Sequence, residues 1–557
     1  MSVAEAAGRV LAALGADTVF GVVGSGNFHV TNALVAAGAR FVAARHEAGA
    51  TTMADAWARV TGRPGVVSVH QGPGLTNAMT GIAEAAKSRT PLVVLAGETA
   101  GAAVLSNFRV DQAALATAVG AVPERVHSPG SVLDDVVRAY RTAAEQRRTV
   151  VLGLPLDVQA MPVPDELAHA FSGSEVGSVV PAGPPVMPAG PSAEGVVALA
   201  EVLAAARRPV FVAGRGGRGA REPLRALGRR AGALLATSAV ARGLFRGDPY
   251  DLDVSGGFAT PLAAELIREA DLIVGWGCAL NMWTMRHGAL IGPDATVVQV
   301  DVESAALGAH RPIDLGILGD TAATATAVEA ELARRGGDAV GYRGPGTAER
   351  IAAEGRWGLV PYEDTGDGTR IDPRTLSRAI DEMLPPERVI GIDSGNFMGH
   401  PAMYLEVPDA DGLIFTQAYQ SIGLGLATAI GGAVALPDRM PIAALGDGGA
   451  LMSIADLETA VRLGLGMLVV IYDDEAYGAE VHHFGPGGHP LDTVTFPAAD
   501  IAEIGRGFGC DGAVVRRVDD LAALRKWLDG PRDRPFVLDA KVTPGPSWWL
   551  EEAFRGH

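Results

Sequence analysis

Residues 445–449, Leu445-Gly446-Asp447-Gly448-Gly449, sit between an apolar run that reads as a buried strand (440–445) and a stretch that reads as a helix (453–465). The helix reading rests on apolar residues at Ile454, Leu457, Val461 and Leu465. The next apolar run (467–472) reads as a second strand, closed by Asp473-Asp474, with Asp474 twenty-seven positions after Asp447. Two parallel strands joined by a helix end at the same edge of a sheet, so Asp447 and Asp474 become neighbours. Glycines between strand and helix let backbone N–H groups approach an anion, and hard carboxylate oxygens suit Mg2+ or Ca2+. A lone Gly-Asp-Gly is usually an ordinary turn. Spacing, strand context and a second acidic site together predict a Mg2+–diphosphate site on a parallel α/β sheet.

The rest of the chain has the same texture. Strand-like runs at 41–44, 66–69, 92–96 and 149–154 alternate with helical stretches, as do later runs at 209–213, 272–275, 296–300 and 389–393. At 557 residues the chain is too long for one packed core. Residues 166–192 are rich in Ser, Gly and Pro and read as a linker, and 336–371, Gly-rich and charged, as a second one. This predicts three doubly wound parallel-sheet domains, at 1–165, 193–335 and 372–557. The middle unit carries Gly214-Arg215-Gly216-Gly217-Arg218-Gly219 after a strand, a formal dinucleotide fingerprint. No acid stands at 233–238, where the ribose partner belongs, so the loop reads as structural.

A net charge of −18 excludes a nucleic-acid partner, which needs clustered Lys and Arg. The two cysteines, Cys278 and Cys510, lack metal-ligand spacing and read as buried thiols. No leader-like layout or long apolar run is visible, so a cytoplasmic protein with no membrane partner is expected.

With these motifs in view, the chain resembles the thiamine-diphosphate enzymes, whose cofactor motif is Gly-Asp-Gly followed after this interval by Asn-Asn. Further resemblance lies in Arg45-His46-Glu47-Ala48-Gly49-Ala50 with Met53-Ala54-Asp55 and Ala58-Arg59. Phe20-Gly21-Val22-Val23-Gly24, Gly72-Pro73-Gly74 with Thr76-Asn77, and Pro155-Leu156-Asp157-Val158 are similar to acetolactate-synthase-like members. The resemblance implies a pyrimidine-binding first domain, a middle domain that holds FAD in some members, and a diphosphate-binding third domain. Thiamine diphosphate and Mg2+ are the implied cofactors, with FAD possible and not favoured. Because the family builds its site between related folds of different subunits, a homodimer or homotetramer is implied.

By the same resemblance, Glu47 contacts the aminopyrimidine, Ile422 wedges beneath the bent cofactor, and the Gln420 carbonyl receives the pyrimidine amine. Asp447, Asp474 and the Ala476 carbonyl form the protein's share of the Mg2+ shell, with Asp473-Asp474 replacing the usual Asn-Asn. Ser394, Gly395, Asn396, Gly446, Gly448, Gly449, Tyr477 and Gly478 complete the cofactor contacts. Glu480 falls six residues after the second metal ligand, where pyruvate-decarboxylase-like relatives carry a Glu. Ser25 occupies the place of a Ser in benzoylformate-decarboxylase-like proteins, and Gln71 lies in a loop that faces the cofactor in relatives, so the resemblance implies Glu47, Glu480, Ser25 and Gln71 as the catalytic residues. His29, His70, His482 and His483 are further polar candidates, the last two in a Gly-Pro-rich stretch. The loop 105–109 lacks both the decarboxylases' histidine pair and an obvious acetolactate-synthase Gln.

The implied reaction is decarboxylation of a 2-oxo acid with transfer of the acyl anion to a proton, an aldehyde or a second oxo acid. The alternatives are a FAD-containing acetolactate synthase or oxidase, and a catalytically decayed cofactor-binding or scaffold protein. The tail Ser547-Trp548-Trp549-Leu550 reads equally as a lid or as packing.

Overall fold

A computed structural model describes residues 1–172, 180, 187–336 and 341–545. Among these residues eighteen strands form three six-stranded sheets, every strand pairing parallel. The first sheet contains β1 (Thr18–Gly21), β2 (Arg40–Ala43), β3 (Gly65–Val69), β4 (Leu92–Glu98), β5 (Val122–Arg125) and β6 (Thr149–Pro155). The second contains β7 (Pro209–Ala213), β8 (Leu234–Thr237), β9 (Asp251–Val254), β10 (Leu272–Trp276), β11 (Thr296–Asp301) and β12 (Leu315–Leu318). The third contains β13 (Arg388–Ile392), β14 (Leu413–Phe415), β15 (Met440–Gly446), β16 (Leu468–Asp473), β17 (Asp511–Val515) and β18 (Phe536–Lys541). Their central strands are continuous apolar runs because helices cover both faces.

The first and third sheets share one order, β2-β1-β3-β4-β6-β5 and β14-β13-β15-β16-β18-β17. The middle sheet differs, running β12-β11-β10-β7-β8-β9. The middle order reverses once, and the other two reverse after their opening strand pair and again at their last pair. The crevice at the switch point lies between β1 and β3, between β7 and β10, and between β13 and β15, and it is where doubly wound folds bind ligands.

The domains are bolted together around helix Glu47–Thr61. It packs on helix Gly425–Ala435 so closely that a Cβ at Gly431 would come within 2.2 Å of the Met53 carbonyl. At its end Arg59 pairs with Asp55 and Glu84, both at 2.7 Å, and donates to the Phe415 carbonyl. Glu84 in turn accepts the Ala418 and Tyr419 amides, and Arg218 of the middle domain donates to the Arg59 carbonyl. Thus one buried ionic node ties all three sheets, its charges satisfied by partners from each.

Two local readings change. The helix read at 453–465 is shorter, Asp456–Arg462, and a separate helix, Asp447–Ser453, precedes it from the Gly-Asp-Gly motif itself, the two being parted where the backbone switches to i→i+3 bonds at Leu457 and Glu458. Its apolar face is nonetheless the buried one. The second linker holds a helix, Pro345–Glu354, and is fastened to the middle domain by Arg350–Glu265, Arg356–Asp251 and the Trp357 indole on the Phe258 carbonyl. Arg350 and Arg356 are thus pairing groups, while Glu349 and Glu354 stay exposed. In the first linker, helices Asp165–Ser172 and Ala193–Ala205 reach in from either side, and 173–179 and 181–186 lie outside the described residues, as does the tail from 546.

Candidate active site

At the third sheet's switch point, β13 delivers Asp393 and the loop Ser394-Gly395-Asn396, while β15 delivers Gly446-Asp447-Gly448-Gly449. Asp393 organises the crevice. Fully buried, it accepts the amides of Ser394, Gly423 and Leu424, so one carboxylate fixes the loop after β13 to the loop carrying Gln420 and Ile422. Burial raises its pKa to about 6 against the pull of those amides. Gly449 is required here, since a Cβ would lie 2.1 Å from the Asp393 carboxylate. Gln420 sits in left-handed backbone at φ 57°, a strained conformation for a non-glycine residue that turns the loop toward the cavity.

The two acids that end β16 have separate fates. Asp473 is buried and held by the Lys541 ammonium, which also bonds the Ala499 carbonyl and lies 3.2 Å from Asp539. Asp474 has no such cation. Burial and the Asp473 charge push its pKa up to about 6, and burial with the charges of Asp473 and Asp474 pushes Asp447 to about 8. Among the described residues neither Asp447 nor Asp474 has an ion-pair partner, and Arg370 pulls on Asp474 only as a minor opposing charge, the electrostatic condition of a cation site. Among the described residues no group of three or more His, Cys, Asp or Glu forms a metal cluster, so two carboxylates and the neighbouring backbone are the protein donors available.

A cavity of about 940 Å3 opens over this edge. Its lining includes Ser394, Gly395, Asn396, Gln420, Ile422, Gly446, Asp447, Gly448 and Gly449, and from the loop after β16 Asp474, Ala476, Tyr477, Gly478 and Glu480. Ile422 is half-buried and faces this space rather than the core. Glu480 lies in the first turn of helix Gly478–Phe484. That helix also contains His482 and His483, which corrects their placement in an irregular Gly-Pro stretch. His482 is half-buried, with Nε2 unbonded and a pKa lowered by burial, and His483 stands edge-on to Phe484.

Glu47 does not line this cavity. It opens the helix after β2, half-buried, and accepts a 3.0 Å hydrogen bond from the Asn77 amide. Asp456 fixes the helix start by accepting the Arg45 amide at 2.9 Å. Nearby, at the first sheet's own switch point, Ser25 Oγ lies 3.3 Å from His70 Nε2, and His70 Nδ1 lies 2.8 Å from the Gln71 carbonyl. A carbonyl only accepts, so Nδ1 carries the proton and the Nε2 lone pair accepts the Ser25 hydroxyl. Phe108 packs edge-on to His70 at 5.2 Å. The buried Asn27 shapes the turn by accepting the Gly24 amide and donating to Ser68.

Gln71 is placed otherwise than its loop position suggests. Its side chain is 3% exposed and turned inward, where a Cβ at Gly26 would collide with Oε1, so it supports the Ser25 turn from beneath. His29 is exposed beside Phe28.

Three family models match the chain in order: the N-terminal thiamine pyrophosphate binding domain over residues 1–115, the central domain over 196–328 and the C-terminal thiamine pyrophosphate binding domain over 393–540. The chain belongs to the thiamine pyrophosphate enzymes. Among its relatives in this family, a probable 2-ketoarginine decarboxylase of Pseudomonas aeruginosa is 30% identical over 95% of this chain and 91% of that protein. A sulfoacetaldehyde acetyltransferase of Castellaniella defragrans is 27% identical over 95% and 91%, and an acetolactate synthase large subunit of Parasynechococcus marenigrum 28% identical over 95% and 86%. Decarboxylases and acyl-transferring enzymes are thus both similar to it at comparable distance. No helix among the described residues is long and apolar enough to cross a membrane.

The thiamine pyrophosphate enzyme's donor set fits a metal–diphosphate group. Its carboxylates lack a cation, and its loop glycines leave no side chain between backbone and cavity. A Cβ at Gly448 would strike the Tyr477 ring at 2.7 Å, and one at Gly478 the Asp474 carboxylate.

Proposed function

We propose that this chain is a thiamine-diphosphate- and Mg2+-dependent enzyme that removes CO2 from a 2-oxo acid and passes the acyl unit to a carbonyl acceptor or to a proton. The observation that carries this reading is the unneutralised pair Asp447 and Asp474 at a glycine-lined switch point. When bound, thiamine diphosphate supplies a carbon nucleophile and an acceptor for the electron pair released with CO2.

The chain's residues divide the remaining work. Asp447, Asp474 and the Ala476 carbonyl hold Mg2+, and Ser394, Gly395, Asn396, Gly446, Gly448, Gly449, Tyr477 and Gly478 hold the diphosphate. Ile422 and the Gln420 carbonyl position the rings. Glu47, oriented by Asn77, shares a proton with the pyrimidine and so sets the basicity of its amine. Ser25, polarised by His70, and Glu480 handle protons at the carbon that bore CO2. Gln71 acts as a positioning residue.

Glu47 lies away from the cavity of its own chain, and the hydrophobic side chains around the first switch point, Val23, Phe28, Leu105 and Phe108, are exposed. Both features suit a second copy whose third domain meets this edge, making a homodimer the smallest working unit. The domain division at 1–165, 193–335 and 372–557 belongs to this reading.

The test is direct. Purified protein with Mg2+ and thiamine diphosphate is incubated with a panel of 2-oxo acids and aldehydes, and products are identified by mass spectrometry. Cofactor- and metal-dependent CO2 release with an aldehyde or a hydroxyketone supports the proposal. Cofactor binding with no turnover of any panel member removes it in favour of a binding role.

A further inference from the structure

The cavity does not stop at the third domain. Its wall continues past Phe258, Trp283 and Phe415 to the switch point of the middle sheet, where Arg215 follows β7. The two ends differ in charge. All the acids of the lining, Asp447, Asp474 and Glu480, come from the third domain, whereas the first and middle domains contribute Lys87, Arg215 and His310 and no carboxylate.

Arg215 is unusual among its neighbours. Arg59 is satisfied by Asp55 and Glu84, and Arg218 by Asp411 and the Ala410 carbonyl. Arg215 makes no hydrogen bond or ion pair among the described residues. Burial, then the charges of Arg59, Arg147 and Arg89, push its pKa down to about 9, so it still carries its charge at neutral pH. Among the described residues Lys87 has no carboxylate partner either; its ammonium lies 5.6 Å from the Tyr419 ring centroid. In a chain of net charge −18, acids are plentiful, and an unpaired cation walled into a cavity is unfavourable unless a ligand brings the compensating charge.

A dinucleotide is the first anion suggested by a Gly-rich loop at a switch point, but the loop is not free to cradle one. Cβ atoms at Gly214, Gly216 and Gly217 would lie 2.4 to 3.0 Å from backbone atoms of Trp276 or Gly277, so these glycines serve loop-to-loop packing. The strand that should end in a ribose-binding acid ends in Thr237-Ser238.

We propose that Arg215 anchors the distal anionic group of the substrate, which is a 2-oxo acid bearing a second carboxylate or comparable oxyanion at the end remote from its keto carbon. Lys87 reinforces the positive end of the cavity, His310 adds a hydrogen-bonding ring to the same lining, and the aromatic wall covers the carbon chain between. This rests on the 2-oxo acid reading above.

The test compares charged and uncharged far ends. Glutarate and pentanoate are titrated by calorimetry onto the holoenzyme, and 2-oxoglutarate, 2-oxoadipate and 2-oxohexanoate are compared in turnover. The dianions are expected to be preferred by about tenfold or more, the scale of one charge-assisted hydrogen bond. Arg215→Ala should erase the preference through KM while melting no lower than wild type, because an uncompensated cation has been removed, and Arg215→Lys should keep part of it. An indifferent wild type, or an Arg215→Ala variant that still prefers dianions, overturns the proposal. So does Arg215-dependent binding of ADP with no binding of glutarate. Thiamine diphosphate titrated in parallel separates the two readings. Cofactor binding without dianion preference removes the anion site alone, and dianion preference without cofactor binding removes the 2-oxo acid reading alone.

Discussion

The first and third sheets share a strand order and a switch point between equivalent strands, yet the chemistry placed there is opposite. In the first, the Ser25–His70 pair and a half-buried Glu47 are already held by hydrogen bonds. In the third, Asp447 and Asp474 are pressed together with pKa values raised toward neutrality, and the adjacent Asp473 is occupied by Lys541. In the proposed function one topology thus serves as a proton-handling edge and as a cation-demanding edge. The difference comes from a few residues beyond the strand ends, not from the sheets.

The contrast is broken most severely at Asp447. Asp447→Ala should abolish Mg2+-dependent binding of thiamine diphosphate, measured by calorimetry, while the fold persists; normal binding would place the metal elsewhere. Glu47→Gln should have the complementary phenotype, normal cofactor binding with proton exchange at the cofactor's C2 slowed by at least ~10²-fold, and an unchanged exchange rate by NMR removes Glu47 from that role.

Smaller effects sharpen the split within the third edge. Asp473→Asn should lower stability by about 3 kcal/mol, because it strips the buried Lys541 of a partner, whereas Asp474→Asn should leave stability intact and hold or tighten the cofactor by relieving repulsion. Equal denaturation midpoints for the two variants would contradict the separate fates of these acids.

The pH dependence has a defined sign. A raised carboxylate pKa stabilises the cofactor-free protein below the ordinary carboxylate range. That contribution fades as pH rises through about 6 for Asp474 and about 8 for Asp447. Cation binding needs the ionised forms, so affinity for Mg2+ and cofactor should climb between those values, with protons released in buffers of differing ionisation enthalpy. A flat profile counts against the pair. Smallest of all, Ser25→Ala should leave cofactor binding untouched and slow turnover only, with the loss shrinking when His70 is already replaced.

Much of this was legible in the sequence because apolar strand runs and the interval from Asp447 to Asp474 are local signals that parallel topology converts into proximity. Partner choice was not. Nothing in Asp473-Asp474 says which acid Lys541 captures, since that lysine is sixty-eight positions away. Gln71 reads as a polar loop residue until Gly26 is seen to leave it an inward pocket, and the helix Pro345–Glu354 is masked by charges whose partners lie in another segment. Arg215 belongs to a motif that suggests nucleotides, and only the contacts of its glycines show the loop to be packed.

The central claim is that the two edges of different copies form one site, and mixing two inactive variants tests it most directly. Glu47→Gln and Asp447→Ala should each be inactive alone, by the roles proposed for them. Co-expressed, they should yield hybrid dimers in which one site combines an intact Glu47 edge with an intact Asp447 edge, restoring about a quarter of wild-type activity by statistical pairing. No recovery in hybrids that demonstrably form would contradict the account.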